Sequence, residues 1–228
     1  MQVIGLLLGA SALSAQPVRS RTAVGVRLGA NVFAKRTALE PSPVLGLEAS
    51  WQAPWSPARR RADAPSVSIG VLLDVSRPKT NGEQFPLAAV DRGDTTYLYA
   101  MAQRVTLVES SVRAQVGVPL AGARVSAYAG GGLYALLPGS RKNGSSRLVH
   151  PMGSFGIAVD DPLTKTLAVR LQIGGTSYLR FDRNALDATR SLPEAQRIRD
   201  AAPAPLAAAR APTNLQYSIV FRFTPGGA

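Results

Sequence analysis

Residues 166–177 read TLAVRLQIGGTS, with Leu167, Val169, Leu171 and Ile173 on one side of an extended chain and Ala168, Arg170, Gln172 and Gly174 on the other. Successive side chains of a strand point to opposite faces, so this period of two marks a ribbon with one apolar and one polar or small face. The pattern recurs along the chain. Thr22 to Phe33 sets Val24, Val26, Leu28 and Val32 against Gly25, Arg27, Gly29 and Asn31, and Val44 to Gln52 sets Leu45, Leu47, Ala49 and Trp51 against Gly46, Glu48, Ser50 and Gln52. Ser66 to Ser76 alternates with Leu72 as its one misfit on the side of Ser68, Gly70 and Asp74. Four more segments, at 108–118, 123–137, 148–160 and 215–223, make eight strands in all.

Short connections at 53–65, 119–122 and 161–165 alternate with longer ones at 34–43, 77–103, 138–147 and 179–214. That alternation fits an all-β, eight-stranded antiparallel up-and-down transmembrane β-barrel with short periplasmic turns and long external loops, spanning 22–224. An immunoglobulin-like sandwich gives no reason for it. The composition is compatible: of 228 residues 46% are hydrophobic and 18% charged, so a sizeable buried or lipid-facing surface is available. With no Cys, disulfides, thiol redox chemistry and Cys-ligated zinc are excluded. Residues 1–15, MQVIGLLLGASALSA, run from an apolar stretch into small residues like a secretory signal, although no Lys or Arg follows Met1. A membrane helix needs about 20 apolar residues, which this run lacks. The plainer alternative is a buried N-terminal strand or helix.

Two solvents suit such ribbons. A soluble lipocalin-type barrel binding a small apolar ligand turns its aliphatics inward, whereas a membrane barrel turns them to acyl chains and fills its lumen with polar groups. Aromatics at or near strand ends, Phe33, Trp51, Trp55, Tyr178, Phe181, Tyr217 and Phe223, favour the membrane by forming girdles at the headgroups. Eight strands enclose just enough room for side chains, so the lumen is expected to be plugged. Its charges are then Arg27, Arg113, Arg170 and Arg222 with Glu48, Asp74 and Glu109, a structural salt-bridge network in which Arg27 and Glu48 are expected to pair. A narrow ion path through that network is the sharper alternative.

With those segments, loop lengths and the last strand QYSIVFRF, the chain resembles the small outer-membrane β-barrels of the OmpA and OmpX type. The resemblance implies a non-enzymatic barrel with a structural or surface-interaction role in the outer membrane. It also implies that the terminal strand is recognised by the barrel assembly machinery, with Gln216, Ser218, Phe221 and Phe223 on the signal positions and Ser218 replacing the usual Gly.

Other features carry less. Ser191, Pro193 and Glu194 read as the start of a short helix over 194–201 in the long last connection, and the Ala- and Pro-rich stretch 201–212 reads as solvated loop. Ser145, Ser146 and the single His, His150, lie near one another but without a nucleophile elbow or a positioned acid, so a lipid-modifying hydrolase is not expected. Asp160 and Asp161 read as a turn before Pro162 rather than a metal or acid–base pair. No cofactor or metal is expected. The excess of 26 Lys and Arg over 14 Asp and Glu, with Arg59-Arg60-Arg61 in a turn, is spread over turns, lumen and loops, which suits phosphate-rich lipopolysaccharide better than nucleic acid.

Overall fold

The computed structural model describes residues 22–59, 61, 63–138, 149–181, 183–189, 192, 195–201, 209–210 and 212–225. The secretory-like start, Ser145, Ser146, Ser191, Pro193, Glu194, most of 201–212 and Arg60 lie outside the described residues. The strands are β1 (Thr22–Val32), β2 (Ser42–Gln52), β3 (Ser66–Ser76), β4 (Leu87–Arg92), β5 (Thr95–Ala100), β6 (Val105–Leu120), β7 (Ala123–Pro138), β8 (Val149–Pro162), β9 (Leu167–Tyr178), β10 (Arg180–Phe181), β11 (Ala209–Arg210) and β12 (Thr213–Phe223). The eight segments with alternating sequence are β1, β2, β3, β6, β7, β8, β9 and β12. They form a closed antiparallel barrel in which β12 returns to pair with β1. No helix among the described residues is long and apolar enough to cross a membrane.

The register fixes the shape of the cylinder. Cross-strand partners followed from Val32 through Leu215, Gly175, Phe155, Ala129, Ala114, Ile69 and Trp51 lead back to β1 at Thr22, ten residues from the start. Such a stagger over eight strands tilts them by about 40° and gives a backbone radius of about 8 Å, which side chains fill. Alternation then sorts the residues. Val26, Leu28, Leu47, Ile69, Leu73, Val116, Ile157, Ile173 and Ile219 are exposed on the outer wall, while Arg27, Glu48, Asp74, Arg113, Arg170 and Gln216 are buried in the lumen. Leu72, the misfit of its strand, is turned inward and is 2% exposed.

One end of the barrel carries the turn between β6 and β7 at Ala121-Gly122, residues 163–166 and residues 53–65. The last of these is longer than residues 33–41 at the opposite end, so the expected contrast of connection lengths is not strict. Its length is used: Ser56 Oγ accepts a hydrogen bond from the Val67 amide, and Arg59 donates to the Gln52 carbonyl, tying this connection to the ends of β2 and β3. Asp160 and Asp161 do not form a turn; both lie within β8, where the ladder to β9 continues to Pro162.

The other end is closed by a lid. The β4–β5 hairpin, unforeseen in the sequence, lies between β3 and β6, and the connection from β9 to β12 holds α1 (Ala195–Ala201) close to the expected position. Phe33, Leu39, Phe85, Val90, Met101, Leu107, Tyr134, Leu136, Tyr178, Phe181, Leu186 and Ile198 pack into one buried cluster there. Leu186 and Ile198, earlier in the last connection than the stretch expected to be solvated, are fully buried. One expectation fails at this lid. Phe33, Tyr178 and Phe181 are not girdle residues, since they turn inward into the buried cluster, where the Tyr178 ring lies 4.3 Å from that of Tyr134 and Phe181 stacks with both tyrosines. A strand-end aromatic is ambiguous by one residue of register, and here the lid supplies the contacts of these rings. Trp51, Trp55 and Phe223 remain on the outer surface, near the end opposite the lid.

Ala121 and Gly122 have φ of 48° and 86°, the left-handed pair that a two-residue hairpin of this twist requires. Ala bears a steric cost there that Gly avoids. Ala121→Gly is therefore expected to raise the unfolding free energy by about 1 kcal/mol in urea titrations of the detergent-folded protein, and Gly122→Val to lower it by a similar amount.

Candidate functional site: the lumen charge network

The lumen holds two ionic clusters. In the one nearer the lid, Arg27 is fully buried, and each guanidinium nitrogen has a partner. Nη1 meets Asp74 Oδ2 at 2.6 Å, Nε donates to Ser218 Oγ at 2.7 Å, and Nη2 donates to Gln216 Oε1 at 2.9 Å. Gln216 completes the ring by donating to Asp74 Oδ2 at 3.1 Å. Three strands, β1, β3 and β12, are thus bridged across the barrel by one arginine.

The expected pairing of Arg27 with Glu48 is not made. Arg27 faces Gly46 on β2, and the register puts Glu48 beside Gly25, lower in the barrel. Gly46 provides the space for the actual pair, because a Cβ at that position would collide with the Asp74 carboxylate.

In the second cluster, nearer the opposite end, Arg170 grips Asp160 through two parallel hydrogen bonds of 2.7 Å, the fork geometry that suits guanidinium and carboxylate. Arg170 Nη1 also meets Glu48 Oε1 at 2.8 Å and Gln115 Oε1 at 3.1 Å. Arg222 adds a 2.8 Å bond to Asp160 and lies 3.5 Å from Glu48, while Gln172 donates to Glu48 Oε2 at 2.9 Å. Arg222 Nη2 donates to Ser50 Oγ. Asp160 is therefore a full member of the network. Sequence reasoning missed it although it falls on the inward side of its strand, because its neighbour Asp161 and the following Pro162 gave a competing turn signal.

Glu109 and Arg113 differ from the rest, since neither makes an ion pair among the described residues. Glu109 accepts hydrogen bonds from the Tyr178 hydroxyl at 2.9 Å and from Asn31 at 3.3 Å. Arg113 donates to Ser154 at 3.1 Å and lies over the Tyr128 ring, 4.7 Å from its centre. Tyr128 in turn lies along the inner wall over Gly156 and Gly174 of the two following strands, where any Cβ would strike its hydroxyl. With Asp160 included, four arginines and four carboxyl groups make up the lumen set among the described residues.

A small void adjoins the second cluster. The void bordered by Glu48, Leu72, Arg113, Tyr128 and Arg170 offers about 20 Å³ to the centre of a water molecule, room for a water or two. Above it the lid covers the lumen. His150, the imidazole candidate, sits in β8 opposite Tyr134, with its ring 5.7 Å from the tyrosine ring. Among the described residues no group of His, Asp and Glu could hold a metal ion.

The four assembly-signal positions divide by face. Gln216 and Ser218 are lumen ligands of Arg27, whereas Phe221 and Phe223 are exposed on the outer wall of β12. No family model matches the chain, and no curated protein matches it.

Removing one member of a buried ion pair strands the other, which costs about 3–5 kcal/mol, whereas replacing both by apolar groups is far milder. Arg27→Met is expected to lower stability by that amount in urea unfolding. Arg27→Met combined with Asp74→Leu is expected to recover most of the loss. Gly46→Val should resemble the single variant, since it displaces Asp74 without touching any charge.

Proposed function

We propose that this chain is a non-enzymatic outer-membrane β-barrel whose lumen is plugged by its own side chains and whose role is structural or interactive at the cell surface. The observation that carries the proposal is the inversion of the barrel. Half-exposed aliphatics such as Leu45, Leu47, Ile69, Val112, Ile157 and Ile219 cover the outer wall, and the ion pairs are inside. A monomeric soluble protein rarely exposes a contiguous apolar patch beyond a few hundred Å². Strands of 11 residues such as β1 and β2, tilted by about 40°, rise about 25 Å, the height of the apolar band of membrane barrels.

The alternatives are less well supported. A lipocalin-type carrier needs an apolar cavity, whereas this lumen is lined by paired charges. An ion path would have to cross both clusters and the lid. A lipid-modifying enzyme would depend on His150, whose ring packs beside Tyr134. In the proposed role the chain is exported by the signal-like start at 1–15. It is inserted by the barrel assembly machinery through β12, with Phe221 and Phe223 presented outward, and it borders lipopolysaccharide at the lid end. The resemblance to OmpA- and OmpX-type barrels rests on the strand pattern.

Expression in a Gram-negative host should place the protein in the sedimented envelope fraction, soluble only with detergent and migrating differently on gels before and after heating. Recovery in the soluble fraction without detergent would contradict the proposal. In planar bilayers the plugged lumen should give no stable current. A steady conductance abolished by Arg170→Ala would replace the plug with a channel.

A further inference from the structure

The outer wall changes character abruptly at one place. On β3 the outward positions run Ile69, Val71, Leu73 and Val75, and the same alternation continues past the strand end to Arg77 and Lys79, both exposed, while Pro78 and Thr80 stay turned inward and buried. The β3–β6 ladder extends there through bonds from the Val105 amide to the Pro78 carbonyl at 3.0 Å and from the Thr80 amide to the Gln103 carbonyl at 2.8 Å. It sets Arg104, also exposed, directly opposite Lys79. Directly opposed residues of an antiparallel pair have Cα atoms about 5 Å apart, and next-but-one residues of a strand about 7 Å, so three cations share one small area of wall.

None of the three has an acidic partner among the described residues. Glu40 is the nearby acid, its amide bonded to the Lys79 carbonyl, and it makes no ion pair with them. Like charges set opposite each other in a ladder weaken it, so the arrangement favours a bound anion that offsets the repulsion. Among the described residues at this level, β1 and β12 end in Val32 and Thr213, and β8 and β9 present Pro151 and Leu179; the exposed Lys35, Arg36 and Arg180 lie in the connections that follow β1 and β9.

We propose that Arg77, Lys79 and Arg104 form a binding site for the phosphate groups of a multi-acyl phosphorylated saccharide lipid of the lipid A type, whose chains lie down the wall over Val75, Leu73 and Val71. Two guanidinium forks and an ammonium supply bidentate and point-charge contacts to phosphate oxygens. The apolar column directly beneath selects a lipid-borne phosphate over a free one. The site deepens the outer-membrane reading and rests on it, with the lid end taken as the external side.

The test titrates the full chain, folded in detergent, with diphosphorylated lipid A, with its dephosphorylated form and with inorganic phosphate, read by native mass spectrometry. The diphosphorylated lipid is expected to bind more tightly than the dephosphorylated one. Arg77→Gln/Lys79→Gln/Arg104→Gln should weaken it by about fivefold per cation removed. Arg61→Gln/Lys165→Gln, at the opposite end, should bind like the parent. If the triple variant fails to fold, as judged by its gel shift on heating, Lys79→Gln alone carries the test with its own fivefold loss.

Equal affinity for the two lipid forms, or unchanged affinity in the substituted protein, overturns the site, and displacement of the lipid by millimolar inorganic phosphate overturns its assignment to a lipid. These failures are distinct from that of the outer-membrane reading. A chain found in the soluble cell fraction overturns that reading, whereas one that sediments with envelopes but shows no phosphate preference overturns the site alone.

Discussion

An ionised side chain enclosed in a cylinder of about 8 Å radius cannot keep its hydration shell, so it must find its partners inside the cylinder. The rest of this structure follows from that constraint. Arg27 satisfies it with Asp74, Ser218 and Gln216, and Arg170 with Asp160, Glu48 and Gln115. Each set draws on strands distant in sequence, so the network is also a lock on register. A slip of one residue in β12 would carry Gln216 and Ser218 to the outer wall and bring Leu215 and Tyr217 into the lumen. Charge pairing of this kind adds little net stability over an apolar core, but it penalises the wrong arrangement heavily.

Glycines make the pairing geometrically possible. The space opposite Arg27 exists because residue 46 has no side chain, and the Tyr128 ring lies flat over β8 and β9 because residues 156 and 174 have none. The inward faces are therefore fitted surfaces in which large groups from one strand occupy notches in another. The lid extends the same economy at one end. There the chain switches from polar pairing to an apolar cluster around Tyr134, Tyr178 and Phe181, and the Tyr178 hydroxyl joins the two regimes through Glu109.

Much of this was legible in the sequence. The period of two in segments such as 66–76 and 167–177 located all eight barrel strands and sorted inward from outward side chains, because alternation is a direct consequence of strand geometry. Which charges meet was not legible. Arg27 and Glu48 look like neighbours when residues are counted up adjacent strands, but a stagger of ten residues around the barrel shifts the levels and brings Asp74 to Arg27 instead. Asp160 was hidden by the turn-like Asp161-Pro162 that follows it. The inward turn of Phe33, Tyr178 and Phe181 depends on a lid assembled from three separate connections, and no local pattern encodes that.

In the proposed outer-membrane role, hydrocarbon wets the aliphatic wall while the opposite face is sealed. The chain has no Cys, so single introduced thiols can be spin-labelled without background. Labels at Leu47, on the outer wall, and Ser126, buried in the lumen, compare the two faces in lipid bilayers. The Leu47 label should collide freely with dissolved oxygen and be shielded from a water-soluble nickel chelate, and the Ser126 label should be immobile and shielded from oxygen. A Leu47 label reached by the chelate and a Ser126 label reached by lipid-dissolved oxygen would contradict it.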